Sequence, residues 1–81
     1  MTIAQVNQLV IDIIIESTET ELELHENTHL VREMGLSSVE ATLLLSDLED
    51  RFHIHIPVLR LREIETVGDL CQTVVDCLRT Q

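Results

Sequence analysis

The sequence has few aromatic residues and little positive charge. Its 81 residues include one phenylalanine and neither tryptophan nor tyrosine, so a core must be built from Leu, Ile and Val. Five arginines and no lysine stand against 15 acidic residues, which gives a formal net charge of −10. This charge argues against nucleic acid and anionic membrane surfaces as partners, because both are bound through basic patches. It favours basic protein partners instead.

Cysteine and long apolar runs are scarce as well. Cys71 and Cys77 are six residues apart, about 240° of rotation on a helix, so we expect them to point apart and not to pair. Two such thiols do not form a disulfide framework, which predicts a cytoplasmic protein. The apolar run at residues 10–15 is interrupted by Asp12 and is too short to span a bilayer. No signal-peptide pattern is visible at the start of the sequence.

Capping-box spacings predict the starts of three helices. In this pattern Ser or Thr is followed three residues later by an acid or its amide, and each side chain bonds the other residue's backbone N–H. The pairs are Thr2 with Gln5, Ser37 with Glu40, and Thr66 with Asp69. The predicted helices cover residues 2–16, 38–52 and 66–78, and Pro57 is placed to open a short helical turn over residues 58–63. The β-branched run in the first helix also fits a strand, but its length and cap favour a helix.

The apolar pattern predicts an all-α bundle of three main helices and one short helix, in one small domain over residues 1–81. We expect it to be a monomer. Each main helix has apolar residues at helical intervals. In the first these are Ile3, Val6, Leu9, Val10, Ile13 and Ile14; in the second Ala41, Leu44, Leu45, Leu48 and Phe52; in the last Val67, Leu70, Cys71, Val74 and Leu78. A long loop, residues 17–37, joins the first two helices. The apolar residues expected to fix it across the bundle are Leu22, Leu24, Leu30, Val31, Met34 and Leu36.

The start of the second helix carries two adjacent serines with different expected roles. Ser37 is the predicted cap, which leaves Ser38 as the first helical residue. The Ser38 hydroxyl then projects from the positive end of the helix dipole, where a phosphate group is favoured.

The polar face of the second helix contains one apolar residue. Leu43 lies about 200° from Ala41, among Glu40, Asp47 and Asp50. A lone exposed Leu needs no functional explanation. The alternative is a docking point for a basic, partly apolar partner.

Two other kinds of site are not favoured. His53 and His55 alternate with Ile54 and Ile56, so both imidazoles are expected to face solvent, and no Cys or carboxylate is expected at ligand spacing. A catalytic Ser38 would need a base and an oxyanion hole, and the G-x-S-x-G motif is absent. We therefore predict neither a metal centre nor an enzyme.

A series of landmarks resembles the acyl carrier protein family, which includes the carrier domains of polyketide and nonribosomal peptide synthetases. The run from Leu30 to Val39 matches the family's Leu-Gly-x-Asp-Ser-Leu region, with its preceding acidic stretch. Acids followed by Phe52, then Ile56-Pro57, then an Ile and Thr-Val at the last helix also match, without a gap. The likeness covers nearly the whole chain.

The resemblance implies that Ser38 carries a 4′-phosphopantetheine arm, transferred from coenzyme A by a phosphopantetheinyl transferase. The thiol of that arm would hold acyl groups as thioesters for loading and acyl-using synthase enzymes. The residues expected at the partner surface are Ser37, Val39, Glu40, Leu43, Asp47, Asp50, Arg60 and Arg62.

Three departures from the family pattern indicate a specialised carrier in fatty acid, polyketide or related biosynthesis. Ser37 replaces the usual Asp, Leu43 replaces a frequent acid, and Arg60 and Arg62 lie where acids are common. The loss of the Asp also leaves an alternative open. In that alternative Ser38 stays unmodified, and the chain is an interaction module that binds its partner through the acidic second helix.

Overall fold

The computed structural model describes residues 2–80 and confirms the predicted all-α architecture. Helix α1 spans Ile3–Thr18, α2 spans Ser38–Phe52 and α3 spans Val67–Arg79. A short 3₁₀ helix, Val58–Glu63, lies between α2 and α3 and is called the connecting helix below. Residues 2–80 contain no strand beyond one isolated antiparallel bridge between His29 and Thr66. No helix in this part of the chain combines the length and apolar character that crossing a bilayer requires.

All three predicted capping boxes are present, and in each both reciprocal hydrogen bonds form. The boundaries of α2 are those predicted. Helix α1 runs two residues further than predicted, because Thr18 Oγ1 donates to the Ile14 carbonyl and Glu19 closes the helix in a left-handed conformation with φ 52°. Short polar side chains can satisfy helix-end carbonyls that would otherwise lack partners.

The aliphatic core lies where α1 packs against both α2 and α3. On α2 the predicted face is buried at Leu44, Leu45, Leu48 and Phe52, with Ala41 half-buried at its edge. On α3 it is buried except for the half-buried Leu78, and Thr73 and Val75 are buried in addition. On α1 the buried residues are Val6, Val10, Ile13 and Ile14.

Four apolar residues in the predicted pattern are exposed instead of buried. Ile3 lies in the first turn of α1, at the end of the bundle, and Leu9 lies about 85° from the centre of the buried stripe of α1. In the loop, Leu30 and Leu36 are buried, whereas Leu22 and Val31 are exposed. The prediction that Leu22 and Val31 fix the loop to the helices is therefore wrong.

Backbone hydrogen bonds fix the loop to the start of α3. Gly68 N–H donates to the Glu26 carbonyl at 2.8 Å, and Val67 N–H donates to the Thr28 carbonyl at 3.0 Å. In return, Leu30 N–H donates to the Glu65 carbonyl at 2.9 Å. The loop thereby satisfies α3 amides that have no partner within the helix. A long loop can thus be ordered with few buried side chains of its own.

We expect Gly68→Ala to destabilise the protein by about 1–3 kcal/mol, because a Cβ at this position has no room. It would lie 2.7 Å from Glu26 Cγ and 2.9 Å from the Glu26 carbonyl oxygen, so the loop would have to move away from α3. Urea unfolding followed by circular dichroism measures the change. Ser46→Ala, at an exposed position of α2, is the control and should change stability by less than about 0.5 kcal/mol. Equal stability of Gly68→Ala and wild type would contradict the close approach.

The cap of α3 predicts a dependence of stability on acid pH. Backbone N–H groups of Glu65 and Thr66 donate to the Asp69 carboxylate and hold its pKa below the ordinary value. A depressed pKa stabilises the folded state above the unfolded pKa of about 3.9, and this contribution disappears as pH falls through the folded value. Asp69→Asn should therefore be less stable than wild type at pH 7, and the two should converge below about pH 4. A constant difference over that range in thermal unfolding would contradict this assignment.

Candidate functional site

Ser38 lies at the first position of α2 with its side chain exposed. Its neighbour Ser37 forms the cap: Ser37 Oγ accepts from Glu40 N–H at 3.2 Å, and Glu40 Oε1 accepts from Ser37 N–H at 3.4 Å. The Ser38 carbonyl accepts from Thr42 Oγ1 at 2.8 Å, whereas the Ser38 hydroxyl has no hydrogen-bond partner within residues 2–80. The geometry therefore separates a structural serine from one whose hydroxyl is available for reaction.

A compact turn over residues 29–35 sets the approach of the chain to Ser38. Gly35 adopts φ +70°, a left-handed conformation that glycine enters without a steric penalty. His29 Nδ1 accepts from the N–H groups of Val31 and Arg32, at 3.2 and 3.0 Å. Sequence reasoning missed this role of His29, because histidine is not among the residues that usually cap such turns.

A pocket of about 460 Å³ opens beside Ser38. Its exposed lining residues, at the mouth, include Val31, Ser37, Ser38 and Thr42. Its buried walls are aliphatic and come from the loop, α2 and α3. Two half-buried residues, one in the connecting helix and one directly after it, complete one side. The buried residues are Leu30, Leu36, Leu44, Leu45 and Leu70; the half-buried ones are Leu61 and Ile64. The polar mouth and apolar interior fit a ligand with a polar attachment point and an aliphatic tail.

The exposed face of α2 combines apolar and acidic side chains. Leu43 is 61% exposed, as predicted, but it is not the lone apolar residue on this face, because Val39 is 69% exposed one turn before it. Residues four apart are neighbours on a helix surface, so these two form a continuous apolar pair. The exposed acids Glu40, Asp47 and Asp50 lie on the same helix, and Asp47 accepts a hydrogen bond from Ser17 Oγ at 2.5 Å.

The two arginines of the connecting helix differ in their surroundings. Arg60 is half-buried, and its Nη2 lies 3.2 Å from Asp76 Oδ2 on α3. Arg62 is exposed, and within residues 2–80 no carboxylate lies within 4 Å of its guanidinium. Arg62 therefore lies on the surface, whereas Arg60 forms a contact between the connecting helix and α3.

Among residues 2–80, no cysteine or histidine lines the pocket beside Ser38. Both cysteines are free. Burial raises the pKa of the Cys71 thiol to about 11, and burial also raises the pKa of the Cys77 thiol. His55 is exposed, but Glu49 Oε2 lies 3.3 Å from its Nδ1, so the expectation that no carboxylate would be nearby is wrong. Among residues 2–80, no group of three His, Cys, Asp or Glu side chains is arranged to hold a metal ion.

Three comparisons place this arrangement among known proteins. The family model described as the phosphopantetheine attachment site matches residues 8–74. A protein named as a probable acyl carrier protein, from Caulobacter vibrioides, is 37% identical over 60 residues, which cover 74% of this chain and 69% of the relative. An acyl carrier protein from Wolinella succinogenes is 33% identical over 52 residues, covering 64% and 68%. A solved structure from Mycobacterium tuberculosis, described as an acyl carrier protein, superposes with a TM-score of 0.83 at 28% identity, covering 88% of this chain and 96% of that one.

Proposed function

The chain belongs to the acyl carrier protein family, and from this premise we propose that Ser38 is the residue to which its 4′-phosphopantetheine is attached. Members of this family are carriers and not enzymes, and 4′-phosphopantetheine is their cofactor. The observation that carries the proposal is the separation of roles at the start of α2. Ser37 Oγ is used by the capping box, whereas the exposed Ser38 hydroxyl is open to a transferase.

The chemistry of Ser38 fits attachment of a phosphodiester. Its hydroxyl would attack the β-phosphorus of coenzyme A and lose its proton to a base of the transferase. A new phosphorus–oxygen bond forms as the phosphorus–oxygen bond of the pyrophosphate breaks, and 3′,5′-adenosine bisphosphate leaves. The product is an anion at the amino end of α2, where the helix dipole favours negative charge. Ser37 in place of a carboxylate removes one source of repulsion beside that anion.

The pocket beside Ser38 supports an aliphatic acyl cargo. The arm ends in a thiol that would hold the acyl group as a thioester, and an aliphatic chain folded back from the arm would meet Leu36, Leu45 and Leu70. Burial of each methylene there gains about 0.8 kcal/mol. We therefore place the protein in fatty acid, polyketide or a related biosynthesis, and in the cytoplasm, where free cysteines such as Cys71 and Cys77 persist.

The partner surface is proposed to be the exposed face of α2 together with Arg62. A phosphopantetheinyl transferase and synthase enzymes with basic, partly apolar surfaces would meet Glu40, Asp47 and Asp50 around the Val39–Leu43 pair. Complementary charge speeds such encounters without making them tight, which suits a carrier that visits several enzymes. Arg60 is already paired with Asp76, so a partner would compete with Asp76 for its guanidinium.

We expect Leu43→Glu to lower the specificity constant of the carrier's own synthase partner about tenfold, because a desolvated apolar contact of this size contributes about 1–2 kcal/mol. Steady-state acyl transfer to purified partner measures it. Leu22→Glu adds the same charge at an exposed loop residue and is the control. Equal losses in both variants would show that added charge, and not the α2 face, is responsible.

A second candidate function rests on Ser37. Without the usual carboxylate before Ser38, a transferase has one charge fewer to recognise, and the chain could act as an unmodified interaction module that binds through α2. Intact mass of the wild-type protein after incubation with coenzyme A and a broad-specificity phosphopantetheinyl transferase separates the two functions. The carrier gains one phosphopantetheinyl group and then accepts an acyl group that hydroxylamine removes. No gain with several transferases would favour the interaction module.

A further inference from the structure

Residues 57–64, called the strap below, form one side wall of the pocket, and hydrogen bonds hold this segment at both ends. Before the connecting helix, Ile56 N–H donates to Glu49 Oε2 on α2 at 2.9 Å. After it, Glu65 is fixed on both sides, because its carbonyl accepts from Leu30 N–H and its own N–H donates to Asp69 Oδ2. The segment between these anchors, residues 57–64, contributes Leu61 and Ile64 to the pocket.

Between its anchors the strap is weakly held. Its short-range backbone hydrogen bonds, such as Arg60 N–H to the Pro57 carbonyl, are local. Leu61 and Ile64 are half-buried, and Leu59 is 73% exposed. Helix α1 packs extensively on α2 and α3, whereas the connecting helix makes no comparable packing within residues 2–80. Few buried apolar contacts mark a segment that opens locally at low cost.

One polar contact joins the middle of the strap to α3. Arg60 Nη2 donates to Asp76 Oδ2 at 3.2 Å, and across residues 2–80 this is the one hydrogen bond or ion pair between the connecting helix and α3. Asp76 is itself positioned by Gln72, whose amide donates to its other oxygen at 2.9 Å. Hydrogen bonds from Gln72 and Arg60 lower the pKa of Asp76, so the carboxylate is charged at neutral pH.

The guanidinium of Arg60 is partly shielded from solvent in this contact. Its Nε is buried, donates no hydrogen bond to a described residue and lies 3.7 Å from Glu63 Oε2. Without the contact to Asp76, Glu63 would be the remaining carboxylate, among residues 2–80, within 4 Å of the half-buried guanidinium. Arg62, two residues on, has no such constraint and faces solvent.

We propose that the Arg60–Asp76 ion pair is a latch that holds the side wall of the pocket closed and thereby sets how long an acyl chain stays sheltered. The effect of the ion pair on how long an acyl chain stays sheltered rests on the proposed function. Arg60 acts through the wall and not on the thioester, so it is a positioning residue. Breaking the latch lets Leu61 and Ile64 move outward on a strap that remains anchored at Ile56 and Glu65.

Amide hydrogen exchange on the unmodified protein tests the latch without any need for the arm. In Arg60→Gln, amide exchange of residues 58–65 should rise about two- to fivefold, the range expected for loss of a partly exposed ion pair. The same substitution in an Asp76→Asn background should change nothing further, because the partner is already lost. Raising salt to about 1 M should reduce the difference in exchange between wild type and Arg60→Gln, because salt weakens the ion pair and screens the other charges of the chain equally in both proteins. Arg51→Gln, which removes the exposed pair with Glu16 between α1 and α2, is the control and should leave the amides of residues 58–65 at the wild-type exchange rate.

Cleavage of an octanoyl thioester on the loaded protein tests the consequence for the cargo. Hydroxylamine should cleave the octanoyl thioester, giving octanohydroxamic acid and the free thiol of the arm, about two- to fivefold faster in Arg60→Gln than in wild type or Arg51→Gln, as followed by intact mass. Unchanged exchange in Arg60→Gln would overturn the latch itself. Faster exchange with unchanged release would overturn its control of the cargo. Failure to load any variant would count against attachment at Ser38, while the exchange result would still decide the latch.

Discussion

Ser38→Ala is expected to lose phosphopantetheine loading completely while keeping the fold. No neighbouring hydroxyl can replace it, because Ser37 Oγ accepts from Glu40 N–H and faces the helix amides. The exposed Ser38 side chain contributes no hydrogen bond within residues 2–80, so its removal should change the free energy of unfolding by less than about 0.5 kcal/mol. Intact mass after incubation with coenzyme A and transferase measures loading, and urea unfolding measures stability.

Ser37→Ala is the matched control and should behave in the opposite way. Loss of a serine cap costs about 1 kcal/mol of stability. The Ser38 hydroxyl remains in place, so loading should still reach one group per chain. Loading lost in both variants, or retained in Ser38→Ala, would contradict the division of roles between the two serines.

The second large effect is expected from Leu48→Ala. Leu48 is completely buried on α2, in the core against which α1 packs. Truncation of such a leucine costs about 2–5 kcal/mol, from lost apolar burial and the cavity left behind. A protein of 81 residues has roughly 4–12 kcal/mol of stability in total. The substitution should therefore remove a large part of it, seen as a lower urea midpoint and a lower melting temperature.

Leu43→Ala is the control for Leu48→Ala on the same helix. Leu43 is 61% exposed, so its truncation should change stability by less than about 0.5 kcal/mol. Comparable destabilisation by both substitutions would show that α2 is rotated relative to the structure. The pair thus tests directly which face of α2 is buried.

Features set by local chemistry could be predicted from the sequence. A capping box involves residues three apart, so Ser37 with Glu40 and Thr66 with Asp69 identify helix starts without knowledge of the rest of the fold. The buried face of α2 follows from helical geometry alone, and Leu48 and Phe52 lie where that geometry puts them. The same reasoning separated Ser37 from Ser38.

Features set by contacts between distant residues could not be predicted. The loop is ordered by backbone hydrogen bonds, such as that from Gly68 to Glu26, and side-chain patterns do not reveal such bonds. Arg60 looked like a free surface charge because Asp76 is 16 residues away in sequence. Pairing between remote charges has no periodic signature.

Peptide mapping of the wild-type protein tests most directly whether Ser38 is the residue that carries the arm. The protein is incubated with coenzyme A and transferase, digested, and the peptide containing residues 37 and 38 is sequenced by fragment-ion mass spectrometry. We expect one phosphopantetheinyl group per chain, carried entirely on Ser38. A group found on Ser37 or elsewhere, or a peptide that stays unmodified with every transferase tried, would contradict it.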